Sequence, residues 1–281
     1  MRDLLRHPEL DPAFKELVLT PPSEVYLSEQ LDSVDPQRVH AARESMKRQL
    51  ATALVEDWQW AFDAHQVTGG YSPDPVSSGK RALANLALAM LCIAARQSGD
   101  AVWPGRAWQR FKDASNMTDR QGALMALMAS GSVLADAALD RFHAIFKNDA
   151  LVLDKWFELQ AGAQEHEGRV FDRVKRLLGH PDFSLVNPNR ARSVIGTFCL
   201  RNPAGFHRAD GAGYAFWADR VLALDAINPQ FASRMARALD RWTHLAEPYR
   251  SAARAAIERV AAAPKLSDDT QEIVSRALAG G

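Results

Sequence analysis

Apolar residues in this chain recur in steps of three and four, the spacing that gathers them on one side of a helix. One such run is Val39, Ala42, Met46, Leu50, Leu54, Trp58 and Phe62, which comes after Asp35-Pro36. That dipeptide sets a capping carboxylate before a proline whose missing N–H costs nothing in a first turn. Gly69-Gly70-Tyr71-Ser72-Pro73-Asp74-Pro75 then reads as a loop. The same periodicity predicts helices over 78–98, 105–114, 118–129, 132–147, 150–161 and 166–178. It continues over 188–200, 211–226, 229–245, 247–262 and 267–279.

No stretch after residue 30 alternates strictly between apolar and polar, as a half-buried strand would. Only residues 1–20, which include Phe14 to Leu19, leave room for something else, and they read as a connector. The expected fold is therefore all-α. Helical hairpins arriving in series pack as an α-solenoid or bent helical array. No strict sequence period is present, so any repeat is structural and degenerate. With no composition break in the middle, 21–281 reads as one continuous helical domain.

Composition narrows the partners more than the fold. Over 281 residues, 34 Lys plus Arg balance 34 Asp plus Glu, without the basic excess of a general nucleic-acid binder. The most apolar stretch, Ala82 to Ala95, is shorter than the roughly 20 residues a membrane span needs. Met1 to His7 mixes acid and base early and has no apolar run, unlike a secretory signal. Cys92 and Cys199 sit in apolar helical patterns with no second cysteine at ligand spacing, and read as buried hydrophobes in a reducing, cytoplasmic setting.

Three Asn-Pro steps, Asn187-Pro188, Asn202-Pro203 and Asn228-Pro229, stand where helices should begin. Capping explains all three. A functional reading attaches to the residues behind two of them: Asn189, Arg190 and Arg192 after the first, Gln230 and Arg234 after the third. A helix N-terminus offers partial positive charge and free donors, and these side chains add cationic and amide groups suited to a peptide's carboxylate or carbonyl oxygens.

Catalytic signatures are otherwise missing. Eight histidines are present, but the nearest approach to H-E-x-x-H is His166-Glu167-Gly168-Arg169-Val170, whose last position cannot ligate zinc. That segment reads as a solvated helix start. There is no G-x-S-x-G, Walker loop or strand-linked G-x-G-x-x-G. Gly211-Ala212-Gly213-Tyr214 reads as a helix cap, and Asp268-Asp269 complements a helix dipole. The seven tryptophans fall mostly at core positions, with Trp103, before Pro104-Gly105, as the expected loop exception.

Six stretches resemble, in order, the C-terminal helical domain of bacterial aminopeptidase N. They are Leu19-Thr20-Pro21-Pro22-Ser23-Glu24, Asn116-Met117-Thr118-Asp119 and Leu151-Val152-Leu153-Asp154-Lys155-Trp156-Phe157. The others are Asn187-Pro188-Asn189-Arg190-Ala191-Arg192-Ser193, Asn202-Pro203-Ala204-Gly205-Phe206-His207 and Asn228-Pro229-Gln230-Phe231-Ala232-Ser233-Arg234. The resemblance implies hairpins wound into a HEAT- or armadillo-like bowl over a separate zinc-bearing catalytic domain. That domain carries H-E-x-x-H and the amine-binding G-x-M-E-N, neither of which occurs here.

For function, the resemblance implies a non-catalytic domain. Its partners would be the catalytic domain of the same polypeptide and the peptide substrate, with no nucleic acid and no membrane. It would enclose the active-site cavity, restrict entry and meet the substrate's downstream side. The positions matching Arg192, Gln230 and Arg234 resemble that inner wall, and Asn189 is a lesser member. No cofactor is expected in this chain; zinc belongs to the catalytic domain. A surface uncovered by separation from that domain would favour self-association of the isolated chain. The competing reading is a free-standing scaffold that binds a protein partner on its concave face.

Overall fold

A proline behind a capping oxygen opens helix after helix. The Asp11 carboxylate accepts from the Ala13 and Phe14 amides ahead of Pro12, and Asp74 accepts from Ser77 ahead of Pro75. These caps satisfy donors that a helix start otherwise leaves to water. The structure, a computed structural model, describes residues Met1–Gly280.

In chain order the first helices are α1 (Arg2–Arg6), α2 (Pro12–Leu19), α3 (Glu24–Glu29), α4 (Pro36–Ala53), α5 (Val55–Ala64) and α6 (Pro75–Ser98). They are followed by α7 (Val102–Asp113), α8 (Met117–Ala129), α9 (Leu134–Phe146), α10 (Ala150–Ala161) and α11 (Arg169–Leu178). Next come α12 (Pro188–Ala191), α13 (Thr197–Arg201), α14 (Pro203–Phe206), α15 (Ala212–Asp225), α16 (Pro229–Ala236), α17 (Tyr249–Ala261) and α18 (Asp268–Ala279). A π-helical turn, Arg192–Gly196, lies between α12 and α13, and 3₁₀ turns cover Arg237–Leu239 and Trp242–His244. Among the described residues there is no strand, only an isolated parallel bridge between Val34 and Leu245. The all-α expectation is met.

Two compact units divide the chain where composition showed no break. One comprises residues 1–22 and 42–146, the other 23–41 and the chain from 147 onward. In the first, α6 is the central helix, with Leu83, Leu88 and Leu91 fully buried among α2, α5, α7 and α8. By length and composition α6 could cross a membrane, and it is longer than its apolar stretch implied. Most of it, however, is buried inside the fold, which marks a core helix. Residues 1–20 are helical too. Leu5 and Leu19 are fully buried, and Arg2 and Arg6 clasp the Asp57 carboxylate of α5 at 2.8 and 2.7 Å.

The second unit centres on Phe171, Phe198, Phe206, Tyr214 and Phe216, whose rings meet edge-on or stacked at 5.5–5.9 Å between centroids. Gly213 lets α15 begin here: a Cβ on it would stand 1.9 Å from the Phe206 carbonyl oxygen. The Asp225 carboxylate at the end of α15 holds α18 by accepting from the Ser267 amide (2.8 Å), Ser267 Oγ (2.5 Å) and Thr270 Oγ1 (2.6 Å).

Two long helical runs are interrupted. The stripe from Val39 to Phe62 breaks at Leu54, where the Trp58 indole N–H donates to the Leu50 carbonyl at 3.1 Å, taking an acceptor that a continuous helix would use. The run over 229–245 stops at Ala236. Beyond it the Trp242 indole donates to Ala277 O at 2.9 Å. The Val34 amide donates to His244 O, and the Ala246 amide to Val34 O, each at 2.7 Å.

Candidate functional site

All three Asn-Pro steps cap helices. Asn187 Oδ1 accepts from the Asn189 and Arg190 amides (3.0 and 3.2 Å), Asn202 from Gly205 (3.2 Å), and Asn228 from Phe231 (3.0 Å). Asn202 is buried, and its amide also donates to Ala161 O and Ala163 O at 3.0 and 2.9 Å, so its role is structural. Arg190 is structural for the same reason. Its Nε donates to Asp154 at 2.6 Å, its guanidinium lies 5.0 Å over the Phe157 ring, and the residue is buried.

Arg192 differs from Arg190 in being exposed. Its guanidinium donates to Asn189 Oδ1, so the two candidates at this helix start form one unit, with the amide steering the cation. Arg192 also opens the π-helical turn, in which the Thr197 amide reaches back five residues to Arg192 O. Such turns are rare and concentrate at functional sites. Gly196 closes the turn. A Cβ there would lie 3.2 Å from Arg192 Cγ and 3.8 Å from Met235 Sδ. The bare glycine thus leaves room for the arginine stem and brings α16 against the turn.

Gln230 and Arg234 stand four residues apart on α16, on one helical face, and both are exposed. Among the described residues neither side chain has a hydrogen-bond or ion-pair partner. Met235, their neighbour on the buried side, accepts from the Trp217 indole at 2.9 Å and anchors that helix. The structure therefore joins Asn189 to Arg192, and Gln230 to Arg234, and brings their two elements into contact near Gly196. Together the four present to solvent two cations and two amides, with Arg192 on the π turn and Arg234 in the last turn of α16, a set suited to anionic or carbonyl oxygens.

Zinc does not fit the one sequence segment that approached its motif. Glu167 and Gly168 both have positive φ, 55° and 79°, so α11 starts only at Arg169. Val170, where a second ligand would stand, is a buried apolar residue. The thiols of Cys92 and Cys199 are both buried, and burial pushes that of Cys92 up to about 12. Trp103 is not a loop residue as expected. It lies in the first turn of α7, buried, edge-on to Phe62 at 5.7 Å and under Arg106. The expectation failed because Pro104 is compatible with a helix's first turn.

A cavity of about 390 Å³ lies elsewhere in the second unit, walled by Val25, Val34, Leu200, Leu239, Trp242 and Leu245 among others. None of the four candidates lines it. The residues that sequence reasoning missed are Gly196 and Met235. Ser193-Val194-Ile195-Gly196 looks like ordinary apolar helix, and nothing in it signals a π turn.

Capped helices in series, with no strand among the described residues, define a helical repeat domain. Residues 1–279 match the family described as "Domain of unknown function (DUF3458_C) ARM repeats". The chain belongs to this family, in agreement with the expected solenoid-like array. It is similar to the C-terminal part of aminopeptidase N. It shares 38% identity with aminopeptidase N of Caulobacter vibrioides over 95% of this chain and 30% of that protein. With the Escherichia coli aminopeptidase N it shares 34% identity over 99% of this chain and 31% of the relative. The crystal structure of Legionella pneumophila aminopeptidase A in complex with aspartic acid superposes with a TM-score of 0.88 at 27% identity. That match covers 100% of this chain and 33% of the other. The chain thus spans about a third of the length of the proteins it matches.

Proposed function

We propose that this chain is the non-catalytic C-terminal domain of a zinc-dependent aminopeptidase that removes N-terminal residues from peptides. The domain encloses the active-site cavity, limits entry, and contacts the downstream side of the substrate through Arg192, Gln230 and Arg234, with Asn189 orienting Arg192. Zinc and the amine-binding residues reside in the catalytic domain of the same polypeptide, and residues 1–20 lead in from the upstream part. By itself the chain cleaves no peptide.

One observation carries the reading. Arg234 and Gln230 share an exposed face of α16 with no partner of their own among the described residues, and Arg192 is held by Asn189 on the turn that packs against that helix. Structural arginines in this chain, such as Arg190, are buried and paired. Exposed amides and cations grouped on α16 and on the π turn suit a ligand bearing oxygens, and a peptide's downstream carbonyls and carboxylate are such a ligand.

The test is Arg234→Ala in the complete enzyme, with dipeptide and longer substrates. A charge-assisted contact of about 1–3 kcal/mol corresponds to a loss of roughly five- to 160-fold in kcat/KM. That loss should fall on KM more than kcat, because the contact is remote from the bond broken. Unchanged kinetics on every substrate length would remove Arg234 from the wall.

A further inference from the structure

The eight residues of α2, Pro-Ala-Phe-Lys-Glu-Leu-Val-Leu, are turned inside out. Lys15 is buried with 3% of its surface exposed, while Phe14, Leu17 and Val18 are 48%, 70% and 47% exposed. These three stand at i, i+3 and i+4, one continuous stripe on the helix. The inward side is well made. Leu19 is fully buried, the Lys15 ammonium lies 5.9 Å from the Trp60 ring, and Ala13 presses on α6 where a Cβ at Gly79 would meet its amide nitrogen at 2.9 Å. Glu16 lies on the flank of the helix, off the stripe, where its carboxylate accepts from Thr20 Oγ1 at 3.1 Å. Val76, in the first turn of α6 one turn before Gly79, adds another residue at 58% exposure.

Stacked helical repeats end in caps with polar outer faces, because each inner repeat buries its apolar side only against a neighbour. α2 has the outer face of an inner element. A membrane surface is a poor occupant, since interfacial helices are long and carry Lys and Arg beside their apolar face, whereas α2 has eight residues and its only cation points inward. The aminopeptidase N relatives extend well beyond the matched region, which makes up 30–31% of their length. From these observations we propose that the stripe Phe14, Leu17 and Val18 is the seat of an apolar segment from the upstream part of the same polypeptide. The inference rests on the reading of this chain as one domain of a longer enzyme.

Thiol labelling tests it. Cys92 and Cys199 are buried, so a cysteine placed at Leu17 is the accessible thiol of this chain. Leu17→Cys is compared with Val133→Cys, a position 92% exposed in the same unit, in the chain alone and in the full-length polypeptide. With a maleimide probe, Leu17→Cys should label as fast as Val133→Cys in the chain alone, and at least tenfold more slowly in the full-length protein. Equal labelling of both positions in the full-length protein overturns the proposal, even if Arg234→Ala shifts the kinetics as expected. Slow labelling of Leu17→Cys in the chain alone, together with a dimer in sedimentation, overturns it in favour of a second copy as occupant. Protection at Leu17 with unchanged Arg234→Ala kinetics supports the docking face and refutes the cavity wall alone.

Discussion

Replacing Asp225 by asparagine removes one interaction while keeping the side chain's shape. Asp225 is 7% exposed and joins the C-terminal end of α15 to the start of α18. Its Oδ1 accepts from Ser267 Oγ and Thr270 Oγ1, and its Oδ2 from the Ser267 amide at 2.8 Å. An asparagine can keep the two hydroxyl donors on its remaining oxygen, but its NH2 then faces the Ser267 N–H, donor against donor. The loss is one hydrogen bond to a charged acceptor, about 1.5–3 kcal/mol, with a partly buried N–H left unmet. For a chain of this size that corresponds to a fall of roughly 3–5 °C in Tm.

The acid dependence gives a second, independent readout. Burial alone would raise the Asp225 pKa, but bonds from Ser267 and Thr270 outweigh it and hold the value below the ordinary carboxylate range. A depressed carboxyl contributes stability that is full above its unfolded pKa, near 4, and is lost as pH falls through the folded value. The gap in Tm between wild type and Asp225→Asn should therefore be widest near pH 7 and narrow below about pH 4. Circular-dichroism melts at the two pH values measure it. A variant that melts with wild type at pH 7, or a gap that stays constant into acid, would refute the assignment of the carboxylate as the clasp.

Three other outcomes are expected. Gly213→Ala puts a methyl 1.9 Å from the Phe206 carbonyl oxygen, so it should cost about 3 kcal/mol or more through overpacking and yield poorly folded protein; a normal melt would contradict the close approach. Gly196→Ala meets the Arg192 stem at 3.2 Å rather than backbone, so stability should change by less than about 1 kcal/mol while the full-length enzyme's KM for longer peptides rises severalfold; an unchanged KM would count against Arg192 in the wall. His207, whose Nδ1 lies 2.9 Å from the Tyr214 hydroxyl, is pushed down to about 4 by burial. A depressed imidazole contributes stability that is full above its unfolded pKa near 6.5 and lost as pH falls toward the folded value. In an NMR titration its ring should stay neutral through pH 5.5, and charging at pH 6.5 would refute its burial.

The all-α class, most helix bounds and the capping role of the three Asn-Pro steps were legible in the sequence. Each rests on local physics: spacing of apolar residues, a side-chain oxygen at a cap, and a proline with no N–H to lose. The family could be read from the order of short motifs such as Asn228-Pro229-Gln230-Phe231. The features that tertiary structure decided depend on partners distant in sequence. Helix α4 ends at Ala53 beside an indole that claims a backbone carbonyl, and the run from 229 ends early where Leu245 pairs with Val34. Arg190 and Arg192 stand two residues apart after one cap, and only the family resemblance, not the local pattern, set Arg192 apart. Asp154, thirty-six residues away, draws the first into the interior, while Asn189 holds the second outside. The division into two units and the outward apolar face of α2 were equally hidden, because helical periodicity shows that a face is apolar but not what covers it.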